Sequence, residues 1–206
     1  EGRQILILRK GGIAEGPRML IANHGIGSTG GHADQAPFPP DRVKPAGTVQ
    51  GICNGPAECR EAVRYQIKYG ADVIKCMPSG GVLSLSDPVD VPELTQEEMN
   101  AVVSEAHAWH RKVAAHCHGD AAAKMAIKAG VDSIEHGSFL QDDTLRLMKE
   151  KGVYLVPTIF AGAWVGEKAD RFPPAIAAKA RAASAQIQSM FQHAVKAGVK
   201  VGFGTD

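Results

Sequence analysis

The chain has 206 residues, a formal net charge of +1 and 44% hydrophobic residues. That length supports one domain with a sizeable core, and the near-neutral balance argues against nucleic acid or an anionic membrane as a partner. No apolar run approaches the roughly 20 residues of a spanning helix and no signal peptide is visible. A small-molecule partner and a cytoplasmic setting are expected.

In chain order, residues 6–11 read as a helical remnant and residues 16–22 as a first strand. A loop rich in Gly and Pro follows to residue 57. A module then recurs: an amphipathic helix, a glycine, and a short apolar strand. Its copies are helix 61–69, Gly70 and strand 71–77; helix 120–129, Gly130 and strand 131–136; helix 145–151, Gly152 and strand 153–159; helix 174–197, Gly198 and strand 199–203. Glycine just past a helix supplies the left-handed residue that stops it. A further helix, 95–110, opens on a capping box of Thr95 and Glu98 and leads into a strand over 113–118. Loops over 78–94 and 161–173 follow strands.

Six apolar strands alternating with helices imply a parallel sheet covered on both faces, either a barrel or an open doubly wound sheet. No GxGxxG follows the first strand, which weakens a dinucleotide fold. Long loops after strands, with reactive residues at those same ends, match the way β/α barrels build active sites. The chain starts at Glu1 without a methionine and stops at Asp206 directly after a strand, which is expected of a fragment.

The strand ends carry the chemistry. His116 and His118 are two apart, so a strand points both to one side. His136 ends the following strand of the pattern, and Asp206 follows the last. A lone strand histidine is usually a packed core residue, but this recurrence suits a divalent metal site, Zn²⁺ foremost. Lys75, inside the apolar run Ala71-Asp-Val-Ile-Lys-Cys-Met77, is costly to bury as an ammonium. It reads as a Schiff-base lysine or as a neutral amine that adds carbon dioxide to form a carbamate, and the neighbouring histidines favour the carbamate.

The other polar and aromatic residues read more plainly. Four cysteines (Cys53, Cys59, Cys76, Cys117) without CxxC spacing predict reduced thiols, with Cys76 and Cys117 acting as small buried hydrophobes in strands. Alternation with His136 predicts that Glu135 faces the helices. Trp164 falls in a loop near the expected mouth of the site, and Arg171 is the one cation there suited to a substrate carboxylate.

The segments Ile74-Lys75, Ala115-His116-Cys-His118-Gly119, Ile134-Glu-His136-Gly137 and Phe203-Gly-Thr-Asp206 resemble the amidohydrolase superfamily. Gly30-Gly-His-Ala-Asp34 and Val156-Pro-Thr158 are similar to its imidazolonepropionase-like and Xaa-Pro dipeptidase-like branch. The resemblance spans the chain and implies one incomplete domain over 1–206: a partial (β/α)8 TIM barrel with strands three to eight present and strands one and two missing. It further implies a metal-dependent hydrolase of a carbon–nitrogen bond in a dipeptide, N-acyl amino acid or cyclic amide, acting through metal-activated hydroxide. Two divalent ions are implied, bridged by carboxylated Lys75. His116 and His136 would hold the more exposed ion, and Asp206 would bind the other and serve as general base. His118 would face the substrate and act catalytically by hydrogen-bonding the tetrahedral intermediate, and His32 would contact the substrate. The His-x-His of the family's first strand is absent from the chain, which leaves the first ion two ligands short. The full-length parent is expected to be a homo-oligomer. A Schiff-base lyase using Lys75 and a non-catalytic truncated barrel are the alternatives.

Overall fold

The computed structural model describes residues 13, 15–34, 39, 41–85 and 87–206; the helical remnant expected over 6–11 lies outside them. Five strands, β1 (Val73–Cys76), β2 (Lys112–Cys117), β3 (Ser133–His136), β4 (Tyr154–Val156) and β5 (Lys200–Val201), form one sheet in sequential order. All four pairings are parallel. A doubly wound sheet reverses its strand order, whereas a barrel wall does not. The sheet is a partial (β/α)8 barrel.

Helices α1 (Pro56–Lys68), α2 (Gln96–Ala108), α3 (Asp120–Ala129) and α4 (Asp142–Lys151) alternate with the strands, and α6 (Pro174–Ala197) precedes β5. Thr95 caps α2 in the expected capping box with Glu98. Gly130, Gly152 and Gly198 end α3, α4 and α6 in the left-handed conformation, again as the sequence indicates. Ile74, Val113, Ala115, Ile134 and Leu155 point from the strands into the helix layer and are fully buried. They pack there with Val63, Ile127, Leu145 and Met148; each such large side chain contributes roughly 1.5–3 kcal/mol by leaving water. Cys76 and Cys117 are buried free thiols in this layer, as expected. Among the described residues, no helix is long and apolar enough to cross a membrane.

Three expectations are corrected. The strand over 16–22 does not form. The amides of Asp72 and Val73 both donate to the Ile21 carbonyl, at 2.8 and 3.3 Å, and Asn23 then turns left-handed with φ 59°. What remains beside β1 is an isolated bridge of Ile26 to Cys76. Secondly, residues 161–173 are not a plain loop: they lie largely within α5 (Ile159–Glu167) and a 3-10 turn, Ala169–Arg171. Pro157 lacks the amide a strand needs, and left-handed Thr158 redirects the chain into the helix. Thirdly, Cys53 and Cys59 are joined in a disulfide, with Cα atoms 5.1 Å apart. Cys59 donates its amide to the Gly55 carbonyl at 3.1 Å in the first turn of α1, and that turn carries its side chain back to Cys53.

Candidate metal centre

The register places Lys75 opposite Ala114, and His116 opposite Glu135. Residues paired this way share a face in a parallel sheet, so Lys75, His116 and Glu135 lie on the barrel interior, away from the helix layer. This corrects the expectation that Glu135 faces the helices. Its Oε1 instead accepts from the Ser133 hydroxyl at 2.6 Å on the same face. By the same parity His136, paired with Cys117, would point into the helix layer. A positive φ of 69° at His136 breaks the alternation and returns its ring to the interior.

The result is a cavity of about 200 Å³ lined by Lys75, His116, His118, His136, Asp206 and His32. All six predicted site residues meet there. The rest of the lining is mainly apolar, with Val82, Leu83, Val165 and Ile187 among its residues. Trp164 and Arg171 do not line it. Trp164 lies on α5 and Arg171 closes the 3-10 turn, which corrects the placement of Trp164 in a loop at the mouth.

His116, His118 and His136 are 5–7% exposed, and one nitrogen from each lies within 4.8 Å of the others. Each ring is fixed through a single nitrogen. His116 Nε2 lies 3.2 Å from the Gly80 carbonyl, which can only accept, so Nε2 carries the proton and Nδ1 is left with a lone pair. His136 Nδ1 lies 2.7 Å from Thr158 Oγ1, and His118 Nδ1 lies 2.9 Å from Ser138 Oγ, leaving Nε2 of each toward the cavity. A hydrogen bond on one imidazole nitrogen is what orients the other toward a metal. Burial keeps all three rings neutral: it lowers the pKa of His118 to about 3 and those of His116 and His136 well below the usual value, with the neighbouring histidines and the Lys75 charge adding to the effect. Neutral, convergent imidazoles are the donor set a Zn²⁺-type ion takes. The residues present fit the expected metal.

His32 sits above the triad, its ring stacked on His116 at 4.4 Å. A β-carbon at Gly81 would run into the His32 ring, so only glycine allows this approach. Burial lowers the His32 pKa as well.

The supporting hydroxyls of Thr158 and Ser138 and the Gly80 carbonyl carried no role in the sequence reading. Their signal was faint: each is two or more residues past a strand end, where a metal-ligating histidine needs an orienting partner. His118 shares the same cluster, its ring centroid 5.0 Å from that of His116 and 4.8 Å from that of His136, although the resemblance gave it no ligand role.

The Amidohydrolase family profile matches residues 5–206. Ochratoxinase of Aspergillus niger is 35% identical over 208 residues, covering 95% of this chain and 43% of that protein. A Xaa-Pro dipeptidase crystallised with methionine bound in its active site is 44% identical, superposes with a TM-score of 0.95, and is matched over 98% of this chain and 51% of its own. The crystal structure of A. niger ochratoxinase is 34% identical with a TM-score of 0.89, over 100% of this chain and 50% of its own. The chain thus spans about half the length of the relatives it matches. With that match and the strand-end histidines together, this chain belongs to the amidohydrolase family.

Proposed function

We propose that this chain carries part of the metal-binding site of a hydrolase that cleaves an amide or peptide carbon–nitrogen bond in a small substrate. The observation that carries the reading is the convergence of three neutral imidazoles with Lys75 and Asp206 on one cavity. In this reading His116 (through Nδ1), His136 (through Nε2) and Asp206 would hold divalent metal, Zn²⁺ foremost, and Lys75 would join them as its carbamate. The ion, when bound, would supply a Lewis acid for the substrate carbonyl and lower the pKa of water beside it.

The protein's own groups do the rest. Asp206 takes the proton of the attacking water and passes it to the leaving nitrogen. His118 donates from Nε2 to the oxygen on which charge develops, with Ser138 Oγ–H donating to its Nδ1 to hold that tautomer. His32, above His116, steers the substrate. Lys75 is the one lysine or arginine lining the cavity among the described residues, and the rest of the lining is mainly aliphatic, so an apolar substrate side chain fits there. That agrees with the methionine held by the similar Xaa-Pro dipeptidase, and makes Xaa-Pro-type dipeptides and N-acyl derivatives of apolar amino acids the substrates to try first. The Cys53–Cys59 disulfide favours an oxidising compartment over the cytoplasm expected from sequence.

The test is turnover of such a panel with and without a chelator. Hydrolysis lost to chelation and restored by Zn²⁺ supports the reading. Chelator-insensitive turnover with borohydride trapping at Lys75 would replace it with a Schiff-base lyase.

A further inference from the structure

Between β1 and α2, Val82 and Leu83 line the cavity. The same connection carries three acids, Asp87, Asp90 and Glu93, of which Asp87 and Glu93 hold backbone amides beside the site and are not used by the proposed chemistry. Asp87 is 6% exposed. Its Oδ2 accepts the Gly81 amide at 2.6 Å, while its Oδ1 is buried with no hydrogen-bond donor. Glu93 matches it: Oε2 accepts the His32 amide at 2.7 Å, and Oε1 is buried without a donor. Both carboxyl groups sit against His32, Glu93 on its amide and Asp87 Oδ2 3.8 Å from its Nδ1, and the Asp87 side chain and charge both act to raise Glu93. Ionised together they would repel at close range and leave two buried acceptors unsatisfied. One proton between them removes both costs.

We propose that Asp87 and Glu93 form a carboxylic acid–carboxylate pair sharing one proton, and that this pair is the positioning element that seats His32 and the Gly80–Gly81 turn on the histidine triad. Each acid holds one piece. Glu93 anchors the His32 backbone; Asp87 anchors Gly81, whose neighbour Gly80 fixes the His116 tautomer through its carbonyl. His32 Nδ1 lies 3.0 Å from Ser84 Oγ and 3.8 Å from Asp87 Oδ2, which ties the ring to the same acid. Lys179 of α6 closes the cluster by donating to the carbonyls of Gly81, Ser84 and Asp87 at 2.7, 2.6 and 2.9 Å.

The groups facing the pair assign its proton. Burial pushes Glu93 up to about 7, with the Asp87 charge adding to the rise and the His32 amide and Lys179 opposing it. Burial also pushes Asp87 up, but Ser84, the Gly81 amide, Lys179 and His32 outweigh it and hold Asp87 below its ordinary value. Glu93 is therefore the acid and Asp87 the carboxylate. Loss of the proton near pH 7 sets two negative charges against each other. They separate by releasing His32, the turn, or both.

The inference concerns residues beside the proposed hydrolytic site, but its test does not depend on turnover. Carboxyl-labelled infrared titration of the full chain should show a protonated carboxyl band that persists at about pH 6 and disappears around pH 7. That band should be absent from Glu93→Gln, which keeps an acceptor for His32 and gives Asp87 an amide donor. In Asp87→Asn, where burial still raises Glu93 but the neighbouring charge is gone, the band should persist only to a lower pH than in the native chain. Over the same pH range, the His32 and His116 imidazole NMR signals should shift with the band in the native chain and lose that step in Glu93→Gln. Absence of a carboxyl band at about pH 6 overturns the shared proton. A band whose loss leaves both imidazole signals unmoved overturns the positioning role. Either result is separate from the outcome of the turnover assays.

Discussion

His136 ends β3 and Thr158 lies two residues past the end of the neighbouring β4; they share a hydrogen bond of 2.7 Å, and both have left-handed backbone, with φ of 69° and 46°. For a β-branched residue such as Thr158 that conformation is an outlier costing on the order of 1–3 kcal/mol. The strain has a visible use. It places the hydroxyl beside His136 Nδ1 and starts α5, whose first turn walls the cavity through Ala161 and Gly162.

Thr158 substitutions should therefore separate stability from metal binding. Thr158→Gly relieves the backbone but removes the hydroxyl that orients His136. We expect a chain no less stable than the native one in urea, with metal affinity reduced about 10–100-fold. Thr158→Ser keeps the hydroxyl and should hold metal close to the native level. Equal affinity in all three proteins, measured by competition with a chromophoric chelator, would remove Thr158 from the site.

Acid should destabilise the metal-free protein, and the sign follows from the directions of the shifts. His32, His116, His118 and His136 all have folded-state pKa values below the ordinary 6.5. The unfolded chain consequently binds more protons as pH falls through about 6.5, and stability is lost from there down toward about 3, the value for His118. Glu93, raised to about 7, works the other way, favouring the folded state below its transition. Four histidines outweigh one glutamate. The urea midpoint should fall between about pH 7 and pH 5, and His118→Gln should reduce that fall. A midpoint that rises on acidification contradicts the neutral triad.

Reduction of the Cys53–Cys59 bond should cost little. It closes a short loop, six residues apart, so the chain-entropy contribution is about 2 kcal/mol. Cys53→Ser with Cys59→Ser should lower the unfolding free energy by about that amount and leave metal affinity unchanged. A loss of metal in this double variant would tie the bond to the site.

Periodicity and glycine punctuation made the helix–strand modules legible, because both are local. The convergence of Lys75, His116, His136 and Asp206 was also legible, since parallel strands bring their C-terminal ends to one rim. What failed depended on single backbone turns or on chain distant in sequence. Parity assigned Glu135 to the wrong face because it assumes uninterrupted extended backbone, and His136 departs from it. The Cys53–Cys59 bond depends on where α1 begins, a boundary that periodicity places poorly: helix was expected from residue 61 and starts at Pro56. The cluster of Asp87, Glu93 and His32 joins residues 61 positions apart, with no pattern between them.

The central claim is that these strand ends hold metal, and metal content measures it most directly. After equilibrium dialysis against Zn²⁺ at neutral pH, elemental analysis of the native chain should find bound metal. His116→Ala and His136→Ala should each lower the affinity by at least about 100-fold, and Lys75→Ala should also lose metal. Native-level Zn²⁺ in His116→Ala and Lys75→Ala, with native-like circular dichroism, would contradict the account.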